Sequence, residues 1–312
     1  MMRISIVIPV YGGAGTVGGL CEALLREFAG RETQIVLVND DSPDNADEVC
    51  RALVTAHPDA IVYARLSRNF GEHNAVMAGL RLADGDFVLI MDDDFQNPPS
   101  QAAALADFAA ASEFDVVYTR YERKAHSAWR NLGSRFNDLT ASWLLQKPRG
   151  LYLSSFKCLN RFLVDEITRY DGPYPYIDGL VLRTTRRIGV LTVRHDPRDA
   201  GESTYSLRKL VRLWLNMFVN FSVMPLRLST LAGFVAIVVG TLLGASVVIE
   251  KLLRPDTPMG YASIMTTLLV FSGMSLFMLG VTGEYVGRLF LTSNRTPQYV
   301  IRDVMRRDRD GP

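Results

Sequence analysis

The stretch Met91-Asp92-Asp93-Asp94-Phe95-Gln96-Asn97-Pro98-Pro99 carries the chemistry around which this chain is organised. It follows Asp86-Phe87-Val88-Leu89-Ile90, a short apolar run of the kind buried in a parallel sheet. Side chains alternate along an extended chain, so Asp92, Asp94 and Gln96 are expected on one side. Two carboxylates and an amide oxygen form a hard donor set suited to Mg²⁺ or Mn²⁺. A divalent ion there would hold a diphosphate and stabilise the charge that builds as it leaves. A second reading stays open on these residues alone: an acidic turn before a helix that Pro98-Pro99 opens.

Other polar clusters point the same way without deciding the matter. Asp40-Asp41-Ser42-Pro43-Asp44 closes an early apolar run, where an acid can accept hydrogen bonds from a base or ribose. The alternative is that Asp41 or Ser42 caps a helix that starts at Pro43. Arg120, Arg123, Lys124, Arg130 and Arg135 make the densest positive segment of the polar half. Helical spacing would gather Arg130, Ser134 and Arg135, and guanidinium groups bind phosphate in bidentate fashion; a solvated helix face is the other reading. His73 stands among polar residues that open a helix, which fits a solvated side chain better than a ligand. The glycines of Tyr11-Gly12-Gly13-Ala14-Gly15 form a flexible turn but no dinucleotide fingerprint.

The elements that must position these groups are legible as a repeat. Apolar, β-branched runs begin near Ile4, Gln34, Ile61, Asp86 and Asp115, with helical stretches between them. That spacing predicts βα units, an α/β class and a mostly parallel sheet, whose carboxyl edge is where such folds bind ligands. Net charge is +1, so no global field points to nucleic acid. The three cysteines, Cys21, Cys50 and Cys158, are widely spaced, which fits a reducing compartment.

Composition changes sharply after residue 205. No charge occurs from Leu228 to Ile249, nor from Met259 to Gly283. Each stretch exceeds the about 20 residues that cross a bilayer, which predicts two transmembrane helices. Before them, Arg208, Arg212, Asn216 and Asn220 form a narrow polar stripe on an otherwise apolar segment with Trp214, the pattern of an interface helix. Arginines and Lys209 flank the pair on its outer sides, while the connecting loop balances Lys251 and Arg254 with Glu250 and Asp256. The positive-inside rule then puts residues 1–204 and the C-terminus in the cytosol. The expected organisation is a catalytic domain over 1–204, an interface helix over 205–227, a hairpin over 228–283 with spans 228–249 and 259–283, and a cytosolic tail over 284–312.

Taken in order, these stretches resemble the family-two glycosyltransferases of GT-A fold, specifically polyprenyl-phosphate glycosyltransferases of the bacterial two-span type. The resemblance covers nearly the whole chain. Ile6-Val7-Ile8-Pro9-Val10-Tyr11 resembles the opening strand, which implies nucleotide-binding roles for Pro9 and Tyr11. It implies that Asp40 meets the base, that Asp92 serves the nucleotide and metal, and that Asp94 and Gln96 complete the metal site. Asn39 departs from the pattern, since many relatives carry another Asp there. Thr119-Arg120-Tyr121 and Arg130-Asn131-Leu132-Gly133-Ser134-Arg135 resemble phosphate-holding segments, which nominates Arg120, Arg130 and Ser134. The loop from Arg198 to Tyr205 resembles the segment in which an arginine meets the acceptor phosphate, here Arg198. Asp178 lies where many of these enzymes place a base, with orientation of sugar hydroxyls as its other role. Asp94, Arg130 and Asp178 are thus the expected catalytic groups.

The resemblance implies inverting, metal-dependent transfer from a nucleotide-diphosphate sugar to a polyprenyl phosphate such as undecaprenyl phosphate. The setting is the cytosolic face of the inner (plasma) membrane, with Mg²⁺ or Mn²⁺, and a homo-oligomer, by resemblance a tetramer. A processive polysaccharide synthase is the near rival, but its Gln-x-x-Arg-Trp motif is absent: the tryptophans are Trp129, Trp143 and Trp214, and none ends that pattern. A non-catalytic membrane scaffold is the distant one, disfavoured because clustered acids are costly without a cation.

Overall fold

The computed structural model describes residues 2–121, 148, 150–194, 224–254 and 260–307. The chain divides into two compact units, one of Met1–Tyr205 with Arg295–Pro312 and the other of Ser206–Asn294. The first alternates strands and helices: β1 (Arg3–Val10), α1 (Val17–Glu27), β2 (Glu32–Asn39), α2 (Ala46–Ala56), β3 (Ile61–Leu66), α3 (Glu72–Leu82), β4 (Phe87–Ile90), α4 (Pro99–Ala110) and β5 (Val116–Tyr121). After these come β6 (Lys157–Asn160), α5 (Arg161–Thr168), α6 (Ile177–Thr184), β7 (Ile188–Val193) and β8 (Ile301–Met305).

The strands of the described residues join one eight-stranded sheet in the order β7-β5-β6-β4-β1-β2-β3-β8. The central strands β4, β1, β2 and β3 run parallel, which matches their apolar runs. Ile4, Ile6, Val7, Ile8, Ile35, Val36, Leu37 and Val38 are fully buried, as strands covered on both faces must be. Helices supply the cover with apolar stripes; α1 buries Val17, Leu20, Cys21 and Leu24. Helix α4 starts at Pro99 as expected, its first orphan N–H being the one that proline lacks.

Three features go beyond the sequence reading. Strand β6 enters antiparallel between β4 and β5, pairing Lys157 with Ile90 and with Tyr118. It therefore brings Lys157 to the carboxyl edge of the parallel strands. The segment from residue 284, expected as a tail, instead yields β8, antiparallel to β3 with Ile301 opposite Leu66 and Met305 opposite Tyr63. Its alternation of Ile301, Asp303 and Met305 inward with Arg302 and Val304 outward is strand-like, but its charges hide it in an apolarity scan. Arg51 of α2 secures it through an ion pair with Asp303.

The third feature is topological. The chain leaves the sheet at Val193, the carboxyl end of β7, which runs parallel to β5. It rejoins at Ile301, the start of an antiparallel strand, and that start lies at the carboxyl end of β3. Departure and return are thus on one edge of the sheet, the edge that bears the acidic corner.

The second unit contains α7 (Met224–Leu253) and α8 (Tyr261–Ser293). Helix α7 is long and apolar enough over Ser229–Val247 to cross a membrane, and none of that stretch is buried. Side chains including Phe234, Ile237, Leu242 and Val247 are exposed, as are Leu268, Leu276, Phe277 and Leu279 of α8. Such residues in water forgo about 1.5–3 kcal/mol each, so these surfaces call for an apolar surrounding. A Cβ added at Gly240 would lie 3.5 Å from Phe271, which is where the two helices come close. The expected interface helix at 205–227 lies outside the described residues as far as Val223.

Candidate active site

Four loops meet at the carboxyl edge: those after β1, β2, β3 and β4. The acidic corner follows β4, which ends at Ile90. The chain does not stay extended beyond it, because Phe95 adopts a left-handed φ of 59°. The turn at Phe95 falls between Asp94 and Gln96, and all three expected side chains are half-buried. Asp92 Oδ2 accepts from Ser155 Oγ at 2.8 Å, and Asp94 Oδ1 accepts from the Gln96 backbone N–H at 3.1 Å.

Asp93 points the other way. Its Oδ2 is buried without a hydrogen-bond partner, and a Cβ at Gly13 would sit 1.9 Å from it. Only glycine lets the turn after β1 come this close. Burial, and then the neighbouring Asp92 and Asp94, push the Asp93 carboxyl up to about 7, against the Tyr11 backbone N–H. This is a surplus of crowded negative charge with an orphaned oxygen. The hard oxygen donors Asp92, Asp94 and Gln96 fit a divalent cation. Among the described residues no three His, Cys, Asp or Glu side chains form a ready group for one.

The turn after β1 is tied to the loop after β2. Gly12 N–H donates to Ser42 Oγ at 2.6 Å and Ala14 N–H to Asp44 Oδ2 at 2.9 Å. Burial pushes the Asp44 carboxyl up, but bonds from Ser42, Ala14 and Ala46 outweigh it and hold the group below the usual range. Tyr11 is left 56% exposed, a ring free to cover a ligand, while Pro9 lies half-buried in β1.

Asp40 is 3% exposed and accepts from the backbone N–H groups of Phe70 and Gly71, both at 2.7 Å. Burial raises its pKa in spite of those two bonds. It therefore shapes the loop after β3, a role that the sequence did not reveal. Asn39 donates to Tyr63 Oη at 3.0 Å and accepts from Ser42 N–H at 2.8 Å. An ionised Asp has no proton to give Tyr63, so the amide suits this buried position.

The third cluster lies between β6 and α6. Asp178 accepts from Lys157 Nζ and from Tyr118 Oη, the latter at 2.9 Å. Both members of the ion pair are buried, Lys157 at 4% and Asp178 at 7% exposure. The ammonium also lies 5.2 Å from the Tyr118 ring centroid. Lys157 and Tyr118 thus hold the Asp178 carboxylate in place from two sides. Beside it, the edge of His73 meets Tyr176 with ring centroids 5.1 Å apart. Desolvation drops the His73 pKa to about 4, against Asp178 and with Lys157, so its ring is neutral. His73 is half-buried, between the solvated side chain expected and a fully enclosed one. Glu72 opens to solvent at the cleft, yet desolvation, then Asp92, push its carboxyl up to about 7.

The structure thus brings Tyr11 and Asp93 together and ties Asp92 to Ser155. Arg120, at the end of β5, is exposed and donates to Gly150 C=O at 2.9 Å. Arg130, Ser134 and Arg198 lie outside the described residues. Sequence reasoning missed Lys157 and Ser155 as partners of named acids. A lysine within Phe156-Lys157-Cys158-Leu159, an otherwise apolar run, is the signal that was there to find.

Comparison with known proteins agrees with this arrangement. Residues 5–167 match Glycosyl transferase family 2, and residues 224–289 match the GtrB C-terminal hairpin. An undecaprenyl-phosphate 4-deoxy-4-formamido-L-arabinose transferase from Yersinia enterocolitica is 30% identical over 312 residues, 97% of this chain and 94% of that protein. The protein of the same name from Proteus mirabilis is 29% identical over 308 residues, with the same coverage of 97% and 94%. Among solved structures, M. tuberculosis glucosyl-3-phosphoglycerate synthase superposes with a TM-score of 0.52 at 15% identity, over 70% of this chain and 78% of that one, a likeness of fold.

Proposed function

This chain belongs to glycosyl transferase family 2, and on that premise we propose that it moves a sugar from a nucleotide diphosphate to undecaprenyl phosphate at the cytosolic face of a membrane. The observation that carries this reading is the shared edge of the sheet. The loops that would hold a nucleotide sugar, the departure of the chain at Val193 and its return at Ile301 all lie there. Because β8 belongs to the same sheet as β1–β7, any crossings made by the segment between are even in number, which supports reading α7 and α8 as a pair of spans with both ends of the catalytic unit on one side.

The chemistry rests on the groups available. A lipid monophosphate has a second pKa near that of a phosphorylated side chain, about 6, so it reaches neutral pH largely as a dianion. It needs no base to become a nucleophile. One phosphate oxygen forms the new bond to the anomeric carbon, and the nucleotide diphosphate departs from the opposite face with its bonding electrons, which inverts the centre. The barrier lies in bringing two anions together and in supporting the charge on the leaving group. Asp92, Asp94 and Gln96 would hold Mg²⁺ or Mn²⁺, which when bound supplies positive charge to the diphosphate.

The remaining roles fall to the chain. Ser155 orients Asp92. Tyr11 covers the base, and Asp40 holds the Phe70–Gly71 loop against which the base would lie. The Lys157–Asp178 pair forms a fixed wall for the sugar, with Asp178 orienting a hydroxyl. Arg120, Arg130, Ser134 and Arg198 would hold the acceptor phosphate, since guanidinium and hydroxyl donors suit its oxygens.

The test is incubation of purified protein with undecaprenyl phosphate and a panel of nucleotide sugars, with and without Mn²⁺, reading lipids by mass spectrometry. A lipid carrying one sugar through one phosphate, formed only with the ion, is expected. A polymeric product, or no product with any donor, would overturn the reading.

A further inference from the structure

The turn Tyr170-Asp171-Gly172 lies between α5 and α6, and its carbonyls are held from two directions. Gln298, 7% exposed, donates through Nε2 to Tyr170 C=O at 2.7 Å and Gly172 C=O at 2.8 Å. Two carbonyl acceptors fix which end of that amide faces them. Arg81, at the end of α3, donates to Thr168 C=O and Tyr170 C=O at 3.2 Å and to Asp171 Oδ1 at 3.0 Å. Its other nitrogen donates to Tyr299 Oη at 3.1 Å, so Arg81 joins the turn to the residue beside Gln298.

The chain is stiff beyond this turn. Pro173 and Pro175 alternate with Tyr174 and Tyr176 and lead directly into α6, whose first turn holds Asp178. Proline fixes its own φ and restricts the residue before it, so the placement of Gly172 is passed along to Tyr176 and Asp178. Tyr176 in turn is the residue that His73 packs against. Gln298 itself comes five residues after the end of α8 at Ser293.

We propose that Gln298, with Arg81, is a positioning residue for the sugar pocket: it pins the Tyr170–Gly172 turn and through Pro173 and Pro175 sets where Asp178 stands. This rests on the reading of that pocket as the donor-sugar site. The residue touches no reacting atom. It makes sugar recognition depend on chain that lies beyond the helical hairpin, so the pocket is complete only when that chain has docked.

Gln298→Glu keeps the shape but removes both donated bonds and turns an oxygen toward two carbonyls. With whichever nucleotide sugar supports turnover, KM for that donor should rise about fivefold or more, while Kd for the bare nucleotide diphosphate changes less than about twofold. Hydrogen exchange of the amides over Ile177–Thr184 should quicken about tenfold, with α1 unchanged. Arg81→Lys, at an exposed position, carries the same two readouts should Gln298→Glu fail to fold. Equal losses for sugar donor and bare nucleotide, or unchanged exchange over α6, would overturn the proposal. If the wild type turns over no donor, the functional reading fails and the exchange experiment alone decides the clamp.

Discussion

Two sets of carboxylates share the carboxyl edge of the sheet and handle charge in opposite ways. In the corner after β4, Asp92, Asp93 and Asp94 crowd together, and Asp93 keeps a buried oxygen with no partner. At the start of α6, Asp178 has its cation built in as Lys157, with Tyr118 completing the set. On the proposed function, the first arrangement would receive a cation and the leaving diphosphate, whereas the second is a wall completed by the chain itself.

The contrast can be broken most sharply at the corner. Asp94→Asn should lower turnover about 10³-fold while the protein stays folded and membrane-bound. Retained turnover would remove Asp94 from the charge-receiving site and erase the distinction. The converse holds at the pair, where Lys157→Met should cost about 3 kcal/mol or more by leaving a buried carboxylate uncompensated. Chemical unfolding measures it, and a Lys157→Met/Asp178→Leu double variant should recover most of the loss.

A smaller effect probes how the corner meets the nucleotide turn. Gly13→Ala drives a methyl into Asp93 and should weaken donor binding about tenfold, equivalent to about 1.4 kcal/mol. Calorimetry with the nucleotide diphosphate reads it, and adding Asp93→Ala should restore affinity if the clash is the cause.

The smallest prediction concerns pH on the side of the pair. His73 is held down to about 4 from 6.5, so the unfolded chain takes up a proton below about 6.5 that the native state refuses until about 4. Its contribution to stability is full above 6.5 and drains away as pH falls to 4. The melting temperature of the wild type should therefore drop more steeply across that window than that of His73→Gln. Parallel curves would mean that the ring is solvated after all.

Much of the fold was legible because buried parallel strands write themselves as apolar runs: β1 to β5 all begin within a residue or two of where the sequence puts them. The acidic corner was legible by composition, whereas the left-handed turn at Phe95, between Asp94 and Gln96, was not. The partnership of Lys157 with Asp178 joins residues on different elements, and it is a product of the antiparallel insertion of β6 that no local pattern encodes. Asp40 shows a related limit. Its acidity marked it as a ligand group, and its bonds to two backbone N–H groups of another loop could not be read from the sequence. Strand β8 was hidden for a simpler reason: Arg302 and Asp303 inside five residues look like a solvated end until Arg51 is seen to receive the aspartate.

That last strand has a consequence for biosynthesis. Translation delivers β8 after everything else in the sheet, so the free edge of β3 stays bare on the ribosome until both long helices have been made. An uncovered edge is a template for mispairing. Completion of the sheet is thereby timed to follow synthesis of both long helices, and a nascent chain stalled within them should be more aggregation-prone than the finished protein.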